Sequence, residues 1–98
     1  MTLPYTSPVV DMALPGAELI AKGLEDLRLG RESVEAFLVS IGAPRLKALG
    51  LDVVGTIPEA EHRLFDRLSE SDATTAHSRY NALLRRLVSF ERAACARP

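Results

Sequence analysis

The sequence predicts an all-α fold: a small bundle of four to five helices, ending in a helical hairpin whose C-terminal arm is long. Three observations carry this. From Glu59 to Arg97 there is neither glycine nor proline, although the chain has six of each. Those two residues are the strongest helix breakers. Within the same window apolar residues recur every three or four positions, the period of an amphipathic helix. Thr56-Ile57-Pro58-Glu59 at its start matches the S/T-x-x-E capping box, in which the Thr hydroxyl and the Glu carboxylate satisfy each other's backbone N–H groups.

Residues 1–15, MTLPYTSPVVDMALP, hold three prolines and read as an extended or partly disordered arm. Val9, Val10, Met12 and Leu14 are too apolar for a purely solvated tail, so docking against the domain or a partner is the competing expectation. Residues 16–98 read as a single helical domain. The first helix spans Gly16 to Leu29. Ala17, Ile20, Ala21, Leu24 and Leu27 share one face, and Glu18 and Lys22 form an i,i+4 pair. Gly30 stands where a left-handed C-cap belongs. Gly23 lies inside this helix, where it costs about 1 kcal/mol relative to Ala, and close packing of another helix is the reason expected for it.

The second helix spans Arg31 to Ile41, with Val34, Phe37, Leu38 and Ile41 as its apolar stripe and Gly42 as its end. Ala43-Pro44 opens a short third turn that puts Leu46 and Leu49 inward and closes at Gly50. Leu51 to Gly55 is a connector. Beyond the capping box, Ala60, Leu64, Phe65 and Leu68 mark the first arm of the hairpin. Ser69 to Asp72 is a polar break with Ser71 or Asp72 as the next N-cap. The last helix then runs from about Ala73 to about Ala94.

With 98 residues, 47% of them apolar, the chain supports one modest aliphatic core of a single domain. Its net charge of −1 marks neither a polyanion binder nor an acidic protein. Cys95 is the one cysteine, so an intramolecular disulfide is impossible. The N-terminus lacks the pattern of a signal peptide, and no apolar run is long enough to span a bilayer. A soluble cytoplasmic protein with no membrane partner is expected.

The long last helix carries the functional reading. Ala76, Tyr80, Leu83, Leu84, Leu87, Val88, Phe90 and Ala94 cover one broad face. Arg79 and Arg86 flank one edge, and Arg85 and Arg92 the other. Residues 73–98 hold five arginines against Glu91, a local charge of +4, while residues 50–72 hold six acids against Arg63 and Arg67, a local charge of −4. An antiparallel hairpin would bring the two together, so pairing within the hairpin is the expected fate of these arginines. Glu91 projects into the apolar face, where a carboxylate is costly unless paired. An arginine of another helix or subunit is its expected partner. The end of the helix outruns the first arm, so Leu87, Val88, Phe90 and Ala94 need a cover, either the N-terminal helices or a second copy.

Other constellations are weaker. Glu59-Ala60-Glu61-His62 contains one Glu-x-x-His, but a carboxylate-bridged di-metal site needs two such motifs and further glutamates. His62 and Asp66 read as a surface i,i+4 pair. His77, beside Ser78, has no acid near in sequence, so no catalytic triad is indicated. Nothing near Cys95 would lower a thiol pKa. The Val34–Leu49 stretch has the order of a helix-turn-helix, but its second helix offers only Arg45 and Lys47 to a groove.

The expected function is therefore non-catalytic protein–protein association, including self-association as a homodimer, through Tyr80, Leu84, Leu87, Val88, Phe90, Glu91 and Ala94. The competing expectation is a nucleic-acid-binding regulator that uses Arg79, Arg85, Arg86 and Arg92. No catalytic residue, cofactor or metal is expected.

Overall fold

Four helices occupy residues 10–96, which the computed structural model describes: α1 (Ala17–Arg28), α2 (Val34–Ala48), α3 (Ala60–Ser71) and α4 (Ala76–Cys95). There is no strand among the described residues. The predicted all-α class is what the chain adopts.

The first two helices end as their glycines dictate. Gly30 has φ +76° and Gly50 φ +96°. At α1 the Gly30 N–H donates to the Leu27 carbonyl at 3.1 Å and the Arg31 N–H to the Asp26 carbonyl at 2.7 Å. At α2 the Gly50 N–H donates to Lys47 at 2.9 Å and the Leu51 N–H to Leu46 at 3.1 Å. Both ends are Schellman motifs, which a left-handed residue allows and a Cβ penalises.

The α1–α2 joint is held by a carboxylate. Asp26 is only 2% exposed. Its Oδ2 accepts from Lys22 Nζ and from the Ser33 hydroxyl, both at 2.6 Å, and Arg31 lies 3.7 Å from its Oδ1. Ser33 in turn caps α2, its Oγ accepting from the Ala36 N–H at 3.0 Å. One buried acid thus ties the last turns of α1 to the first turn of α2. The hydrogen bond from Lys22, and then the one from Ser33, hold its carboxyl below the usual aspartate range.

In α2 the structure departs from the sequence reading. The break expected at Gly42 and the separate turn from Pro44 do not exist, because α2 continues to Ala48 with Pro44 inside it. The helix-turn-helix order disappears with the break. Gly42 is buried, in line with buried Leu38 and Leu46 one turn to either side. It marks the crossing of another helix rather than an end. Seven residues of α2 are buried, among them Phe37, Leu38, Val39 and Leu46. Helices apolar on nearly every side belong in a core, and α2 packs against all three others.

Gly23 of α1 has the role expected for it. A Cβ there would fall far inside contact distance of the Glu35 carbonyl oxygen and Val39 Cγ2, so α1 lies against α2 backbone to backbone. On another side of α2, Arg63 and Arg67 of α3 place their guanidinium carbons 5.3 and 5.2 Å from the centroid of the Phe37 ring. Each such contact contributes about 0.5–1 kcal/mol, and the arginine stems shield a ring that is 1% exposed.

The capping box does not form either. Glu59 is itself the N-cap of α3, with φ 55° and ψ 39°, and makes no side-chain cap bond. With Glu59 outside the first turn, its carboxylate is not at the third helical position that the motif requires. The Ile57 N–H instead donates to Ser40 Oγ of α2 at 3.0 Å. Between α3 and α4, Asp72 Oδ1 accepts from the Thr74 N–H at 3.0 Å and from its hydroxyl at 2.6 Å. This Asx turn delays α4 to Ala76, three residues later than expected.

Residues 1–9 of the expected arm lie outside the described residues. Residues 12–16 form turns and a bend, with the Leu14 N–H donating to the Asp11 carbonyl at 3.0 Å. Val10 is buried against the core and Met12 is exposed.

Gly23→Ala should therefore destabilise the protein by about 2 kcal/mol, read from urea unfolding, because overpacking a tight site outweighs the helix-propensity gain of about 1 kcal/mol. A stabilised variant would refute the close crossing. For Asp26 the folded pKa is the lower one, so its stabilisation is complete above the unfolded value near 4 and is lost as pH falls through the folded value. Asp26→Asn should cost about 1–3 kcal/mol at neutral pH, and the gap to the native protein should narrow below about pH 4. A gap independent of pH would contradict this.

Candidate functional site

The last helix outruns its hairpin partner: α4 has 20 residues and α3 has 12, an overhang of roughly 12 Å. The chain covers much of it by itself. α2 crosses the far half of α4 at Gly42, where an added Cβ would stand 2.9 Å from both Glu91 Oε2 and Leu87 Cδ1. The turn before α1 packs on the other side, with Gly16 against the Arg86 carbonyl. As a result Leu87 is 4% exposed and Phe90 2%.

Glu91 is buried at this crossing and its partner is Arg45 of α2, with Nη1 and Oε1 3.5 Å apart. The arginine of another helix that the sequence called for is thus supplied within the chain. Arg45 is largely exposed, so water screens the pair and its strength is that of a surface ion pair.

Above the crossing an open groove of about 330 Å³ remains. Gly42, Leu87 and Glu91 are buried at its base, and half-buried Ile41, Leu84 and Val88 stand along it with exposed Pro44 and Arg45. A second depression, of about 480 Å³, runs along the other flank of Leu84 and Val88 and includes Asn81, Arg85, Ser89 and Arg92. The two depressions share Leu84 and Val88, which therefore form a ridge of i,i+4 spacing between them.

The seven residues expected at an interface divide accordingly. Leu87, Phe90 and Glu91 belong to the chain's own core, while Leu84 and Val88 face the groove. Ala94 is half-buried. Tyr80 packs inside the hairpin, its ring edge-on to Phe65 at 5.9 Å. Burial raises its hydroxyl pKa, and the charge of Glu61 adds to the effect.

The arginines divide as well. The expected pairing across the hairpin is absent: no ion pair joins α3 to α4 among the described residues. Arg86 pairs with Glu18 of α1, and Arg79 donates to the Ser71 hydroxyl at 3.5 Å. Arg85 and Arg92 are exposed and make no ion pair within the described residues. The two helices join instead through Leu64, Phe65, Leu68 and the rings of His77 and Tyr80.

Ile41, Gly42, Pro44 and Arg45 were not legible as one wall of a site, since Gly42 and Pro44 read as breakers. The signal that would have found them is the i,i+4 row Val34, Leu38, Gly42, Leu46, which runs through the glycine without a change of phase.

Elsewhere, His62 Nε2 lies 3.3 Å from Asp66 Oδ2 on the surface of α3, the pair its spacing predicts. Cys95 is exposed. Among the described residues no group of three or more His, Cys, Asp or Glu could hold a metal ion, and no helix is long and apolar enough to cross a membrane. No known protein family matches the chain, and no curated protein or solved structure shows significant similarity to it.

Proposed function

We propose that this protein works by binding another protein through the groove between α2 and α4, and that it is not a catalyst. The observation that carries this is the groove itself: an apolar ridge, Leu84 and Val88, set on a helix crossing fixed by Gly42, with Arg45 on one flank and Arg85 and Arg92, which make no ion pair among the described residues, on the other. Apolar centres with polar rims are the anatomy of protein interfaces. A preformed groove between two packed helices also binds at a lower ordering cost than a segment that must fold on its partner.

Self-association through the same face is the narrower form of this reading. In a two-fold dimer a patch meets itself. The rim here is Arg45, Arg85 and Arg92, and the one acid of α4, Glu91, is buried and engaged. Two copies would therefore set like charges against each other, and this favours a different partner over a homodimer. Nucleic-acid binding is the second reading, and unpaired Arg85 and Arg92 support it. Against it, Arg79 and Arg86 already have partners, and the apolar ridge beside the free cations offers a phosphate backbone nothing.

Light scattering over a dilution series, at low and high salt, tests the choice. The proposal expects the 10.7 kDa monomer mass throughout, and a partner captured by the native protein but lost with Val88→Asp. A stable dimer dissociated by Val88→Asp would restore self-association. Capture that Val88→Asp leaves intact would remove the groove from the account.

A further inference from the structure

The groove has a shape and a charge, and together they describe what fits it. Leu84 and Val88 lie four residues apart with a depression on either side. Such a ridge interlocks with the corresponding row of side chains on another helix. A strand has nothing to extend, because there is no sheet edge among the described residues. Asn81 to Arg92 bound the trough along α4, a length of about 16 Å, or three helical turns. The exposed charges lining the two depressions are Arg45 on one flank and Arg85 and Arg92 on the other, with no exposed acid in either lining among the described residues.

From these observations we infer that the groove takes an acidic amphipathic helix of another protein, about three turns long, with aliphatic side chains at i, i+3 or i+4 and i+7 and carboxylates on both sides of that stripe. This rests on the reading of the groove as a protein-binding site. Charge complementarity selects the occupant. Residues 1–9 of the chain contain no acid and cannot satisfy Arg85 and Arg92. The exposed face of α3 in a second copy offers Glu61, Asp66 and Glu70 but no exposed apolar residue to enter the depressions. Nucleic acid would satisfy the arginines and leave Leu84 and Val88 uncovered.

The test uses the full chain and three synthetic 14-residue helices: one with a leucine stripe flanked by glutamates, its twin with lysines for the glutamates, and a twin with serines for the leucines. Binding is read by fluorescence anisotropy and located by amide chemical-shift changes. The glutamate–leucine peptide should bind at least tenfold more tightly than either twin. It should shift amides of Ile41, Arg45, Leu84 and Val88, weaken with salt, and lose tenfold or more with Arg85→Glu/Arg92→Glu. Those two residues are exposed, so that variant folds; Val88→Asp, checked by its melting temperature, should abolish binding.

Equal affinity for the lysine twin, with Val88→Asp still disruptive, would overturn the acidic partner and leave the groove standing. Binding indifferent to Val88→Asp, or absent for all three peptides, would overturn both. Preference for a 20-nucleotide DNA over the glutamate–leucine peptide, lost with Arg85→Glu/Arg92→Glu, would assign the face to nucleic acid. A mass that doubles with concentration and is restored by Val88→Asp would assign it to a second copy.

Discussion

The fold depends on how closely three helices can approach α2. An aliphatic core of this size has no disulfide and few aromatics to hold it, so contact area must come from tight crossings. Two glycines provide them. Gly23 brings α1 onto the α2 backbone, and Gly42 lets Leu87 and Glu91 of α4 reach it from another side. Phe37 is the third contact, a ring buried under two arginines of α3. A side chain at either glycine would separate the axes and open the interior around it, and packed interiors do not deform smoothly.

Once α2 is central, the charges are distributed by the packing. Asp26 is buried because the α1–α2 joint closes over it, and Lys22, Ser33 and Arg31 answer it there. Glu91 is buried because α4 crosses α2 at a glycine, and Arg45 on the next turn of α2 answers it. The arginines of α4 lie on the edges of its packed face, so one edge meets α1 through Arg86 and the end of α3 through Arg79, and the other meets solvent. The free edge and the half-covered ridge beside it are two consequences of the same crossing. The candidate site is therefore a by-product of the core geometry.

Much of the fold was legible in the sequence because helical period and helix ends are local properties. The face of α4 is a case in point: Ala76, Tyr80, Leu83, Leu84, Leu87, Val88, Phe90 and Ala94 are all buried or half-buried, as their spacing predicts. Gly30 and Gly50 stop helices as expected, and Gly23 marks a close crossing. What failed was local inference where tertiary contact decided. Gly42 and Pro44 look like punctuation, yet burial of Leu38, Gly42 and Leu46 in one row outweighs their propensities. Pro44 removes a single backbone donor, opposite the Ser40 carbonyl, in a helix otherwise fixed by its neighbours. The capping box failed because the connector is drawn onto Ser40, which turns Glu59 into the left-handed region instead of the first helical turn. The site was half legible: Leu84, Val88, Arg85 and Arg92 come from one helix and share a spacing. Their opposite wall belongs to α2, and no spacing along the chain connects Arg45 with Glu91.

Native-state hydrogen exchange tests the centrality of α2 most directly. The slowest-exchanging amides should lie in α2 between Phe37 and Leu46, exchanging only on global unfolding, with the Leu87–Glu91 segment of α4 next. Slowest exchange in the α3–α4 hairpin, with α2 opening locally through Gly42 and Pro44, would contradict it.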